Sequence, residues 1–209
     1  PEESAPLWQL QKAFGYSWEQ VRNVILPMAD KDEEPLASMG ADLPLAILSD
    51  KPQPLFAYFH QLFAQVTNPP IDAIREEIVT STLVYLGPEG DLLAPSPKSC
   101  RQLRLASPLM TDGQLARLRL LDIEGLRALT LSILYEAAQG EAGIRSAMDR
   151  VFCELDEGFE KGYNVFILSD RGVDAEHAAI PSMLAVSGVQ AHTLRRGIRT
   201  QMSLVLESG

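Results

Sequence analysis

Three stretches of this 209-residue sequence set side chains in patterns that could do chemistry. Ser169-Asp170-Arg171-Gly172 follows Asn164–Leu168 (NVFIL), an apolar run that reads as a buried strand. Parallel α/β sheets bind ligands beyond the carboxyl ends of their strands, so Asp170 and Arg171 are candidate site residues, with His177 in the same loop. An Asp–Arg pair that only organises a strand-to-helix loop would look the same. Thr67-Asn68-Pro69-Pro70-Ile71-Asp72 is stiff and polar together. Two prolines fix φ and remove two backbone donors, so the turn can hold Thr and Asn groups, or bare carbonyls, toward a small polar solute. From the residues alone a helix–helix connector is the preferred reading. Met39, in Ser38-Met39-Gly40, is soft enough to lie against a ring or a ligand, although core filling is the ordinary use of such a residue.

The remaining reactive types are isolated. His60, His177 and His192 show neither triad nor metal spacing. Cys100 and Cys153 belong to no CxxC or Cys/His array, so free thiols in a reducing compartment are expected and neither a metal site nor a nucleophile is assigned. The sequence lacks GxGxxG after a strand, GxxxxGK[ST], HExxH and GxSxG.

The elements that must position these residues are clearest in the second half. Leu126–Leu134 reads as a strand and Glu141–Lys161 as a long amphipathic helix. Asn164–Leu168 is a second strand. Ile180–Arg196 is a helix with Pro181 in its first turn and Gly197 at its end, and Met202–Leu206 is a third strand. Strand and helix alternating in this way predict an α/β fold of parallel βαβ units. A Rossmann-like open sheet is the alternative. In the first half, Ser17 caps a predicted helix over Trp18–Leu26 ended by Pro27, Leu43–Leu48 reads as an edge strand or buried extended chain, and Pro54–Val66 reads as a helix with an apolar stripe. Asp72 caps a helix starting near Ala73. Gly87–Pro97 is a loop, and Ile78–Leu86 has no clean assignment. The chain subdivides into 1–97, helical or linking, and 98–209, βαβαβ.

Composition narrows the partners. The net charge of −10 disfavours nucleic acid and anionic membrane surfaces, and no apolar run reaches the ~20 residues of a membrane span. Pro1 and the stop after Glu207-Ser-Gly suggest a piece of a longer chain.

Taken together, Phe14-Gly-Tyr-Ser, the segment Glu34-Pro-Leu-Ala-Ser-Met-Gly-Ala-Asp-Leu-Pro-Leu-Ala, Phe63-Ala-Gln-Val-Thr-Asn-Pro-Pro-Ile-Asp-Ala-Ile-Arg-Glu-Glu, Ile167-Leu-Ser-Asp-Arg and Leu204-Val-Leu-Glu-Ser-Gly resemble the glutamate synthase family, over essentially all 209 residues. The resemblance implies the central domain of the large chain, an incomplete (β/α) barrel-like domain related to the barrel that binds FMN. It implies a domain inactive alone, which joins the amidotransferase and FMN-binding domains and lines part of the path that ammonia takes to 2-oxoglutarate. By the same resemblance Thr67 and Asn68 match the turn that narrows the ammonia tunnel, and Met39 matches a methionine near 2-oxoglutarate and flavin. FMN and an iron–sulfur cluster are expected in the whole enzyme and neither in this segment. The implied compartment is the cytoplasm, or the plastid stroma in a photosynthetic eukaryote. Two other readings stay open: a free-standing small-molecule enzyme using Asp170, Arg171 and His177, and a pure scaffold.

Overall fold

The computed structural model describes residues 6–34, 45–59, 70–91 and 93–209. Met39, Thr67, Asn68 and His60 lie outside them. The chain divides into two compact units, Pro1–Thr67 with Gly209 and Asn68–Ser208.

In the first unit, α1 spans Leu7–Ala13 and α2 spans Trp18–Gln20. Ser17 and Gln20 form a reciprocal capping box at the start of α2. The expected stop at Pro27 does not occur. A π-turn over Val21–Ile25, in which the Leu26 N–H reaches back to the Val21 carbonyl, leads directly into α3, Leu26–Lys31. The wider turn puts Pro27 in the first turn of a new helical segment, where its missing N–H costs nothing. Asp32, in the left-handed conformation, ends it. The expected strand at Leu43–Leu48 is instead a 3-10 turn over Ala46–Leu48 in its described part. The expected helix at Pro54–Val66 is, up to residue 59, one 3-10 turn over Leu55–Tyr58 that ends on an extended Phe59; 60–66 lie outside the described residues. Phe56 and Phe59 are exposed there, so burial does not hold residues 55–59 in a longer helix.

The second unit begins with α4, Ala73–Val79, capped as expected: Asp72 Oδ1 accepts the N–H groups of Ile74 at 3.0 Å and Arg75 at 2.9 Å. The unassigned stretch resolves into the end of this helix and β1, Val84–Leu86, which pairs antiparallel with β2, Leu103–Leu105. Then follow α5 (Asp112–Arg119), β3 (Asp122–Ile123), β4 (Leu126–Ser132), β5 (Leu134–Glu136), α6 (Gly140–Glu160), β6 (Val165–Ser169), β7 (His177–Ala179), α7 (Ser182–Arg195) and β8 (Ser203–Glu207).

The frame is the predicted βαβαβ. Strands β4, β6 and β8 lie side by side and parallel, in chain order, with β3 antiparallel at the outer edge of β4. Alternation along each strand divides the core in two. Leu131, Phe166 and Leu168 pack with Val151 and Leu155 of α6 and Ala185 and Val189 of α7. Ala128, Val165, Ile167 and Val205 face the other way, toward Leu86, Leu115 and Leu118. Both crossover helices therefore cover one face. The predicted first strand is broken at Ile133, which is buried and belongs to neither β4 nor β5. Its N–H donates to the Ser169 carbonyl and its own carbonyl accepts from Ile180, each at 2.9 Å. Beyond it the chain leaves the parallel sheet for a small antiparallel pair, β5 with β7.

The two long helices end alike. After α6 the Gly162 N–H bonds to Phe159 and the Tyr163 N–H to Gly158; after α7 Gly197 bonds to Leu194 and Ile198 to Thr193, all at 3.0 Å. Gly162 (φ 87°) and Gly197 (φ 70°) supply the left-handed residue that this double closure requires. The protein is thus mixed α/β, and the described residues form three small sheets that do not close into a barrel.

Candidate functional site

The parallel register brings Ser132, Ser169 and Glu207, the last residues of β4, β6 and β8, into one row. Residues paired in this way point to the same face of the sheet. Glu207 stands at the β8 end of the row and is only 8% exposed. The Ser169 hydroxyl donates to its Oε2, and Arg119 Nη2 bonds the same oxygen. Arg171 Nε lies 3.3 Å from Oε1. Arg119 is the last residue of α5, whose start is fixed by a capping box between Thr111 and Gln114. Arg171 stands in the loop after β6, and its backbone N–H reaches the Ser169 hydroxyl at 3.3 Å. Four elements thus meet on one carboxylate.

Burial acts to raise the Glu207 carboxyl, but the Ser169 hydroxyl, the charge and hydrogen bond of Arg119 and the hydrogen bond of Arg171 outweigh it and hold it below its ordinary 4.5. A carboxylate so held is a poor proton acceptor near neutrality, and it does not activate Ser169 as a nucleophile. The cluster's chemistry is that of a fixed charge network that sets the position of the loop after β6.

Asp170 is 2% exposed, and its N–H donates to the Glu207 carbonyl at 3.2 Å. It and Arg171 therefore stand at a carboxyl strand end, where the sequence placed them. His177 has a different neighbour. It sits on β7, and its Nδ1 lies 3.0 Å from Asp174 Oδ1. Asp174 also accepts the backbone N–H groups of Glu176 and His177; these bonds, above the smaller opposing effect of burial, hold its carboxyl below the usual value. His192 lies between α6 and α7, stacked on Phe152 with ring centroids 4.5 Å apart and 3.0 Å from Asp156 Oδ1. Cys100 and Cys153 are exposed single thiols. Among the described residues no three His, Cys, Asp or Glu side chains converge as a metal site, and no helix is long and apolar enough to cross a membrane.

Sequence reading missed Arg119 and Glu207. The capping signature Thr111-Asp-Gly-Gln was available and would have placed α5, but only tertiary packing brings residue 119 to residue 207.

The chain as a whole is similar to known proteins. A family model described as the glutamate synthase central domain matches residues 9–209. The chain belongs to that family. It is 41% identical over 208 residues to the glutamate synthase [NADPH] large chain of Bacillus subtilis, covering 100% of this chain and 13% of that one. It is 40% identical over 199 residues to the glutamate synthase [NADH] of Schizosaccharomyces pombe, covering 94% of this chain and 9% of that one. It is 39% identical over 204 residues to the ferredoxin-dependent glutamate synthase 2 of Synechocystis, covering 96% and 13%. The central-domain segment therefore spans about an eighth of the length of the Bacillus relative.

Proposed function

We propose that this chain is the connecting segment of a glutamate synthase, an oxidoreductase that makes glutamate from glutamine and 2-oxoglutarate, and that it lines part of the path taken by ammonia between two other domains of the same polypeptide. The observation that carries this reading is the family match over residues 9–209, together with relatives whose printed activity is glutamate synthesis. In this reading glutamine is hydrolysed in an amidotransferase domain, and the reductive amination occurs in a domain that holds FMN and an iron–sulfur cluster. Among the described residues nothing fits an iron–sulfur cluster: the two cysteines are single and exposed, and no donor cluster converges.

Thr67 and Asn68 are the proposed narrowing of the path, and Met39 the proposed neighbour of 2-oxoglutarate and flavin. A turn stiffened by Pro69 and Pro70 suits this, because a gate must hold hydroxyls and carbonyls at fixed spacing. The parallel frame suits a barrel-like domain: its strands run in chain order without reversal, and both crossover helices cover one face. The lowered pKa of Glu207 and the engagement of His177 by Asp174 favour this connecting role over a free-standing enzyme built on Asp170, Arg171 and His177.

The test uses the full-length enzyme carrying Thr67→Trp or Asn68→Trp. Glutamine hydrolysis should continue while glutamate formed per glutamine consumed falls at least several-fold, with ammonia released to solution. An unchanged ratio in both variants removes the tunnel role and leaves a scaffold.

A further inference from the structure

At the amino-terminal side of the parallel strands, opposite the Glu207 cluster, the second unit holds an open cleft of about 910 Å3. That is within the range of small-molecule sites. Its lining is chemically mixed in a specific way. Phe159 and Tyr163 give aromatic surface, and Asp91 and Lys98 are the one acid and the one base among the lining residues. Ser96, Ser99 and Thr200 belong to the same lining.

The backbone adds charge of one sign. Gly162 and Gly197, which close the carboxyl ends of the 21-residue α6 and the 14-residue α7, both line the cleft. Each helix end carries a partial negative charge of about half a unit, which favours a cation nearby. The wall is built independently of any ligand: the Glu89 and Gly90 N–H groups both donate to the Thr200 carbonyl, at 2.8 and 3.1 Å, tying the 88–99 loop to the start of β8. Tyr163 is held by Arg127, whose guanidinium carbon lies 4.3 Å from the ring centre.

This lining selects among ligand chemistries. A phosphate would meet a single lysine, two helix ends of the wrong sign and a chain of net charge −10. A purely apolar molecule would desolvate the charges of Asp91 and Lys98 and offer neither a counter-charge. We propose that the cleft binds a small zwitterion with an apolar side chain, an α-amino acid in its chemistry. The ammonium faces Asp91 and the two helix ends, the carboxylate faces Lys98 with the Ser96 and Ser99 hydroxyls, and the side chain lies on Phe159 and Tyr163. The proposal uses none of the residues assigned to the ammonia path and stands whether or not that assignment does.

The experiment titrates the full-length protein with L-norleucine, which is neither substrate nor product of glutamate synthesis, by isothermal calorimetry. The expected result is one saturable site per chain. Hexanoate, which lacks the ammonium, and norleucinamide, which lacks the carboxylate, should each bind at least about tenfold more weakly, the worth of one charge-assisted contact. Lys98→Gln should weaken norleucine about tenfold and leave norleucinamide unchanged. Asp91→Asn keeps the acceptor for the Leu93 N–H, at 2.9 Å, and should weaken norleucine while leaving hexanoate unchanged. The proposal is overturned if norleucine gives no saturable binding, if it binds no better than its two truncated analogues, or if neither variant changes its affinity.

Discussion

The helices of the parallel frame and the helices before it solve different problems. Helix α6 puts Ala147, Val151 and Leu155 on the sheet, and α7 puts Ala185 and Val189 beside them, all buried. Helices α1 to α4 bury no residue at all. On α4, Ile74 and Ile78 fall one turn apart and are 86% and 79% exposed. Yet the shorter helices carry better local signals: Ser17 and Asp72 cap theirs with side-chain hydrogen bonds, whereas α6 and α7 have no side-chain N-cap bond. Capping fixes where a helix begins and is worth about 1 kcal/mol, but isolated helices of six to eight residues remain marginal in water. Long helices with a buried face can do without it. The difference teaches that the second region is self-sufficient, while the apolar stripe of the first wants a surface that the described residues do not provide.

The sharpest way to break that comparison is a pair of truncations in the 209-residue chain. Leu155→Ala empties a fully buried position and should cost about 2–5 kcal/mol. Ile78→Ala removes an exposed side chain and should change stability by about 0.5 kcal/mol or less. Urea unfolding followed by circular dichroism measures both. Equal costs would mean that the two faces are equally packed. In the full-length protein the Ile78 cost should rise to about 1 kcal/mol or more if the rest of the polypeptide covers that face.

A smaller effect separates the two ends of the parallel sheet. Glu207→Gln leaves the shape but removes the charge that Arg119 and Arg171 share, and should cost about 1–3 kcal/mol at pH 7, less than a fully buried pair because both guanidiniums reach solvent. The sign of its pH dependence follows from the lowered pKa. A carboxyl held below its unfolded value contributes stability above pH 4.5, and this is lost as pH falls from 4.5 through the folded value. The wild-type chain should therefore lose more stability than Glu207→Gln over that acid range. Parallel curves for the two would show that the cluster carries no net charge stabilisation.

Legibility in the sequence follows the same divide. The βαβαβ frame was readable because each element has a strong period and a stop: strands of continuous apolar residues such as Val165–Leu168, and helices closed by Gly162 and Gly197. The described start of Pro54–Val66, residues 54–59, misled because its apolar spacing is helical while Phe56 and Phe59 are exposed, and Pro27 misled because a π-turn absorbs it. At the strand-end cluster, Asp170 and Arg171 were legible from a local rule about strand ends. Arg119 was not, because 88 residues separate it from Glu207 and only the packing of α5 on the sheet joins them.

Two glycines inside helices sharpen the contrast at the smallest scale. A Cβ on Gly158, in α6, would stand 2.6 Å from Leu129 Cδ2 and 3.0 Å from Phe166 Cε1, so the glycine is what lets the helix lie close on β4 and β6. A Cβ on Gly113, in α5, would meet nothing within 4 Å. Both substitutions gain helix propensity, up to about 1 kcal/mol for alanine over glycine. Gly113→Ala should keep that gain, near 0.5 kcal/mol or more in the first turn. For Gly158→Ala the gain opposes an overpacking cost of about 1–3 kcal/mol, because Phe166 is fully buried and has no free direction to move. Opposite signs in thermal unfolding are expected. If Gly158→Ala also stabilised the chain, α6 would have room to lift from the sheet, and the close seat of this helix on the parallel strands would not be what fixes the frame.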